Sequence, residues 1–274
     1  MDVKITILVE NTTPVPSFVG EYGFAALVSV DDQRFLFDTG SANALFTNAR
    51  LLGIDLSAID RLVISHGHFD HTGGVVPFLQ MGKKKVYAQK EVFTKRYLIK
   101  GAFKKDISAL FQSGDIEQYG AELHLIDQFT EIYDRIYLTG VVPRLNDFEN
   151  VGGNFMAEEN GQLVGDLVPD DMAMVIDHPE GLIIISGCAH AGIINIIDYA
   201  RKKTGRNKVQ AFIGGTHLLT ASEERMAKTI AALKAYDIEK IIPCHCTGFY
   251  AAASLYRALG AKVKKGETSM SFRF

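Results

Sequence analysis

The stretch Ser65-His66-Gly67-His68-Phe69-Asp70-His71-Thr72-Gly73-Gly74 puts three histidines and one aspartate within six residues, directly after the apolar run Arg61-Leu62-Val63-Ile64. Imidazole and carboxylate are donors that borderline divalent ions such as Zn²⁺, Mn²⁺ or Fe²⁺ accept. A strand running into a tight glycine loop projects such side chains into one small volume, so His66 and His68 could share one ion while Asp70 and His71 reach a second. The competing reading is a solvated, histidine-rich loop. Donor types, spacing and the strand–loop–helix context together favour the metal. Three later apolar runs also stop at a histidine: His190, His217 and His245. Six of the eight histidines therefore stand at expected strand ends. His124 reads as a strand surface residue and His178 as a turn residue.

The elements around these residues follow from hydrophobic pattern. Lys4 to Val9 alternates as a strand, and Phe24–Val30 with Arg34–Phe37 flank Asp31-Asp32-Gln33 as a hairpin. Asp38-Thr39-Gly40 closes that hairpin, and a short helix is expected over 42–52. After the histidine motif, 73–80 begins a helix and 85–88 is a strand. Residues 121–126 and 131–138 read as further strands, each in one piece. The second half then repeats the first: strand 172–176, turn 177–181, strand 182–185, loop and helix match the order of 24–52. Strands 209–213 and 238–242 follow. Four strands ending in histidine argue for one shared edge where ligands converge.

Two stretches do not fit a plain scaffold. Between Lys83 and Lys105 stand nine basic residues against one acid, Glu91, with Phe93, Tyr97 and Phe103 among them. This reads either as a partly mobile basic arm that attracts an anionic substrate or as a solvated surface. Residues 146–165 form a long polar, glycine-rich connection of the kind that covers a site. Segments 98–115 and 144–165 are the candidate lids, and Arg144 is a candidate anion contact, with a surface arginine as the alternative.

Composition narrows the function classes. Hydrophobic residues at 47% and charged residues at 22% of 274 describe an ordinary globular chain. A net charge of −3 exerts no global pull on nucleic acid, and nucleic acid is not the expected partner. No apolar run approaches a membrane span, and Met1-Asp2-Val3-Lys4 does not open a secretory signal. Three cysteines, Cys188, Cys244 and Cys246, make no disulfide framework, so a reducing, cytoplasmic location is expected. Cys244 and Cys246 bracket His245, and alternation on an extended segment points both away from it.

The H-x-H-x-D-H stretch resembles the signature of the metallo-β-lactamase superfamily, and the resemblance runs across essentially the whole chain. It implies an α/β fold, a four-layer αβ/βα sandwich of two mixed sheets with outer helices, formed by residues 1–274 as a single domain. It implies that His66, His68 and His190 bind a first metal and Asp70, His71 and His245 a second. Asp38, in a D-x-G at the position of a superfamily landmark, would accept a hydrogen bond from a ligating imidazole; the alternative is a helix cap. Many hydrolases of the superfamily carry a metal-bridging aspartate in a strand-ending T-G-D. Here the matching strand ends Ser186-Gly187-Cys188, so Cys188 either takes that place as a thiolate or is an inert buried thiol. Gly187 to Gly192, Thr139 to Arg144 and Pro243 to Gly248 look like one subgroup, often labelled dihydropterin-ribofuranosylaminobenzene-phosphate synthases.

These readings lead to a metal-dependent hydrolase with one or two divalent ions, zinc first and manganese or iron as alternatives. The substrate is expected to be a small anionic ester, phosphoester or related molecule. Asp70 would orient the attacking water while ligating, and His217 is either a ligand or a donor to the substrate. A pterin-dependent synthase, a nuclease and a non-catalytic metal-binding protein are the alternatives.

Overall fold

The computed structural model describes residues 1–274. In chain order the elements begin with β1 (Val3–Val9), β2 (Ala25–Val30), β3 (Gln33–Phe37), α1 (Ala44–Leu51), β4 (Arg61–Val63), α2 (Phe69–Thr72), α3 (Val75–Leu79) and β5 (Lys85–Ala88). Next come β6 (Arg96–Lys100), β7 (Phe103–Asp106), α4 (Ser113–Gln118), β8 (Glu122–Leu125), β9 (Thr130–Tyr133), β10 (Ile136–Leu138), β11 (Phe155–Glu159) and β12 (Gln162–Gly165). The last part holds β13 (Ala173–His178), β14 (Gly181–Ser186), α5 (Ile193–Thr204), β15 (Val209–Gly215), α6 (Glu223–Ala235), β16 (Ile238–Cys244), α7 (Phe249–Leu259) and β17 (Ser271–Arg273). No helix is long and apolar enough to cross a membrane.

Two compact units result. The first comprises Met1–Leu125, Asn154–Asp166 and Glu267–Phe274; the second comprises Ile126–Gly153 and Leu167–Gly266.

In the first unit a seven-stranded sheet runs β17-β1-β2-β3-β4-β5-β8. The hairpin β2–β3 is antiparallel, whereas β3, β4, β5 and β8 are mutually parallel neighbours. Parallel neighbours need crossovers, and α1, α3 and α4 lie in these connections. Leu36, Leu62, Ile64 and Val86 of the sheet pack against Leu45, Ala49, Phe78, Leu79 and Ile116. The parallel order puts the residues after β3 and after β4 at the same sheet edge. Asp38 and His66 start from there.

The same unit holds a four-stranded antiparallel sheet, β12-β11-β6-β7. It revises two expectations. The basic stretch 83–105 contains the ordered hairpin β6–β7, and half of the long connection 146–165 is the hairpin β11–β12 paired to β6. Not every basic side chain there faces water. Lys84 is buried with its Nζ donating to Ile59 O at 2.6 Å, and Arg96 is wholly buried with its Nε donating to Asp166 Oδ2 at 2.8 Å.

In the second unit a six-stranded sheet runs β16-β15-β14-β13-β10-β9, with β14, β15 and β16 parallel. Its strands β14 and β15 are buried almost throughout, as continuous apolar runs between crossover helices should be. Val175, Leu182, Ile184, Phe212 and Ile241 pack against Ile193, Ile196 and Ile197 of α5, Leu233 of α6 and Leu255 of α7. The expected single strand 131–138 is two strands, because Asp134-Arg135 forms a turn with Arg135 at φ +58°. The expected repeat of strand, turn, strand and helix is present as β2-β3-α1 and β13-β14-α5.

Candidate metal centre

In the first unit the chain leaves β4 through Ser65 and turns at Gly67. A Cβ on Gly67 would sit 2.0 Å from Val92 O, so only glycine lets the loop pass that carbonyl. His68 precedes the single turn α2, which Thr72 Oγ1 braces by donating to His68 O at 2.9 Å. Thr39 holds the turn from the other side: its N and Oγ1 both donate to His71 O at 2.9 Å. His66, His68, Asp70 and His71 are all buried. The His66 ring centroid lies 4.6 Å from that of His68 and 4.3 Å from that of His71.

Asp38 organises these rings. Its Oδ1 accepts from Ser65 N and its Oδ2 from Ser65 Oγ and His71 Nδ1, each at 2.7 Å. Because the Ser65 hydroxyl donates to Asp38, it accepts from His66 Nδ1, 2.9 Å away. Both imidazoles thus carry their proton on Nδ1 and their lone pair on Nε2, as this network assigns it. His66 Nε2 is 3.0 Å from His68 Nδ1, and His71 Nε2 is 3.9 Å from Asp70 Oδ2. Three touching, buried imidazoles cannot all be cations without repulsion. Lone-pair nitrogens beside a carboxylate fit a divalent ion instead.

In the second unit the parallel order of β14, β15 and β16 brings Cys188 and His190, His217, and His245 with Cys246 to one sheet edge. Each strand leaves that edge through a non-glycine residue in the left-handed region: Ala189 (φ +55°), His217 (φ +46°) and His245 (φ +49°). Such strain gathers where side chains must be aimed. His190 Nδ1 donates to Val151 O at 2.8 Å, which leaves its lone pair on Nε2. The rings of His190 and His217 are 4.3 Å apart. Gly152 lies flat against His217, where a Cβ would come within 2.1 Å of Nδ1. The donor atoms of Cys188, His190 and His217 all lie within 4.8 Å of one another, and so do those of Cys188, His245 and Cys246. Imidazoles and thiols at this spacing also fit a divalent ion.

Several residues hold this edge through backbone amides and carbonyls, and two of them, Glu149 and Asp171, carry no sequence signal. Glu149 accepts from Ile194 N and Asn195 N, both at 2.9 Å, and so caps α5 from a distant loop; burial raises its pKa. Asp171 Oδ2 accepts from Ala191 N at 2.9 Å, and complete burial pushes its carboxyl up to about 7. Arg144 Nη1 donates to His190 O at 2.7 Å and Nη2 donates to Leu167 O, so this arginine ties down the His190 loop. A cavity of about 320 Å³ beside it is lined by Val142, Arg144, Val168, Asp171 and Ala191 among others. Ser65 adjoins the histidine motif, and the motif itself gave no reason to single it out. Cys246 departs from the alternation expected of it, because His245–Thr247 is a 3₁₀ turn and not an extended segment.

A fold with histidines at the carboxyl ends of parallel strands and an aspartate orienting them defines a family. The chain belongs to the metallo-β-lactamase superfamily, whose family model matches residues 19–245, and this is a superfamily of enzymes. Among its relatives is a Methanocaldococcus jannaschii protein named 7,8-dihydropterin-6-methyl-4-(β-D-ribofuranosyl)-aminobenzene-5′-phosphate synthase. The two are 33% identical over 267 residues, covering 91% of this chain and 89% of that one. An uncharacterised protein of the same organism is 33% identical over 257 residues, covering 92% and 93%. Among solved structures, Tm1679, described as a metal-dependent hydrolase of the β-lactamase superfamily, superposes with a TM-score of 0.86 at 30% identity over 98% of both chains.

Proposed function

We propose that this protein is a metal-dependent hydrolase acting on an ester, phosphoester or related bond of a small anionic substrate. The observation that carries the reading is the buried donor set after β4, with two imidazole tautomers fixed through Asp38. In this reading the whole chain works as one catalytic domain in a reducing, cytoplasmic setting. His66, His68 and His190 hold one divalent ion, and Asp70, His71 and His245 a second, zinc being the first choice. When bound, such ions supply Lewis acidity and a water that ionises near neutral pH. Asp70 orients the attacking water through its carboxylate. His217 donates to the oxygen that gains charge, and Arg144 with the exposed Lys100 and Lys104 attracts the anionic part. The 30% identity to a protein described as a metal-dependent hydrolase supports this reading.

A second reading is favoured by the 33% identity to a named synthase: joining a dihydropterin to a phosphorylated ribosylaminobenzene. One experiment separates the two. Metal content per chain and turnover are measured on wild type and His66→Ala, with a panel of esters, phosphoesters, lactones and thioesters beside the dihydropterin condensation. Hydrolysis that disappears with the metal in His66→Ala is expected. Metal binding with condensation alone would replace the hydrolase by the synthase, and metal-loaded protein inert on everything would remove both.

A further inference from the structure

The three cysteines do not share one environment. Cys244 stays within β16, where its Sγ donates to Ile242 O at 3.4 Å. One residue on, the left-handed His245 breaks the alternation and opens the 3₁₀ turn, which swings Cys246 toward the ends of β14 and β15. Its Sγ accepts the His217 N–H at 3.3 Å and, while protonated, donates to Cys188 O at 3.5 Å, a bond it gives up on ionising. A backbone N–H aimed at sulfur is a contact that a metal-bound thiolate accepts well. Thr216 Oγ1 donates to Thr247 Oγ1 at 2.9 Å, locking the turn to the end of β15.

Gly215 supplies an independent sign that this corner is built for close approach. A Cβ there would stand 2.6 Å from Cys246 Sγ, 2.3 Å from Gly187 O and 3.0 Å from Cys188 Cα. Its φ is not positive, so space alone demands the glycine. The donor atoms of Cys188, His245 and Cys246 are no further than 4.8 Å apart, and all three residues are buried. Two sulfurs around one tetrahedral ion, bonded at about 2.3 Å each, sit about 3.8 Å apart, which small side-chain rotations reach from here.

We infer that Cys188 and Cys246 are a thiolate pair that, with His245, holds a thiophilic divalent ion. Two thiolates neutralise the charge of the ion, which offsets the cost of burying it. Sulfur donors favour zinc, and cobalt as its spectroscopic substitute, over manganese or magnesium, which prefer oxygen. The inference rests on the proposal above in one respect, that His245 is a metal ligand; it does not depend on the reaction being hydrolytic.

The full-length protein, reduced and stripped with a chelator, is loaded with Co²⁺ without oxygen and read by near-ultraviolet absorption. A thiolate-to-cobalt charge-transfer band is expected, falling to about half in Cys246→Ser and in Cys188→Ser and unchanged in Cys244→Ser. In the wild type, the NMR shift of bound cadmium, which moves downfield with each sulfur donor, is expected in the two-sulfur range, so the test survives a variant that fails to fold. A band undiminished in folded Cys246→Ser overturns the inference. So does wild-type protein that binds Co²⁺ through His245, losing it in His245→Ala, yet shows no thiolate band. No cobalt or cadmium binding at all overturns this inference and the metal reading together, whereas a full band without hydrolysis removes only the hydrolase.

Discussion

Asp38 Oδ2 accepts a hydrogen bond from His71 Nδ1 at 2.7 Å, with both side chains wholly buried. Through Ser65 Oγ the same oxygen also governs His66, so one carboxylate sets the tautomers of two imidazoles. The aspartate is held at φ +57°, a conformation costly for a residue with a side chain, between Val63 and His71. Asp38→Asn keeps the shape but turns an acceptor into a partial donor facing His71 Nδ1. Affinity for Zn²⁺, measured by competition with a chromophoric chelator, is expected to fall about 10–100-fold. Unchanged affinity would mean that the aspartate only braces the loop.

Gly67 and Gly114 make an internal comparison. The Cβ of Gly67→Ala would meet Val92 O at 2.0 Å and Arg96 Nη1 at 2.8 Å, inside the histidine loop. Destabilisation by roughly 1–3 kcal/mol or more is expected, since backbone must move. A Cβ on Gly114, in α4, meets nothing within 4 Å, and Gly114→Ala is expected to stabilise by about 0.4–1 kcal/mol. Urea denaturation of both variants with chelator present checks the pair. Equal and small effects would show that the loop after β4 is not tightly packed.

The strand that delivers His66 was legible in the sequence because an apolar run stops abruptly where polar donors begin. The same contrast marked β14, β15 and β16, buried between helices, and the resemblance of 24–52 to 172–204. The sheet of β6, β7, β11 and β12 was not legible. Its strand β7 is exposed along its whole length and β12 nearly so, so neither shows the alternation that marks a half-buried strand. Strand β17 is three residues long and finds its place only by pairing with β1, a contact between the two ends of the chain. The position of Cys246 escaped for another reason: one left-handed residue, His245, cancels an alternation argument that its neighbours obey. Glu149 and Asp171 were invisible because their partners are backbone amides, and any residue supplies those.

Arg96 stands in the basic stretch that reads as either a substrate-attracting arm or a solvated surface, yet it is among the largest wholly buried side chains, paired to Asp166. Removing one member of a buried ion pair strands the other charge away from water. Arg96→Met is therefore expected to destabilise by about 3–5 kcal/mol, and Arg96→Met with Asp166→Leu by clearly less. The four stabilities of this double-mutant cycle give the coupling directly. Additive losses would show that Arg96 acts by filling space, with its charge incidental.

Glu149 gives a pH dependence of defined sign. Burial is the largest influence on its carboxyl and raises its pKa above the ordinary 4.5, outweighing the opposing hydrogen bonds from Ile194 N, Asn146 and Asn195 N and the charge of Arg225. Below the unfolded pKa both states hold the proton, and Glu149 adds no slope. As pH rises past about 4.5 the unfolded chain releases its proton first, so the folded state binds more protons and stability declines with pH until the folded pKa is passed. Other groups titrate over the same range, so the informative quantity is the difference between wild type and Glu149→Gln. Measured by urea unfolding of chelator-treated protein from acid to neutral pH, the wild type is expected to lose stability relative to the variant as pH rises. A relative gain with pH would mean that the amides at the start of α5 and Arg225 stabilise the carboxylate more than burial opposes it, and would make Glu149 a charged cap.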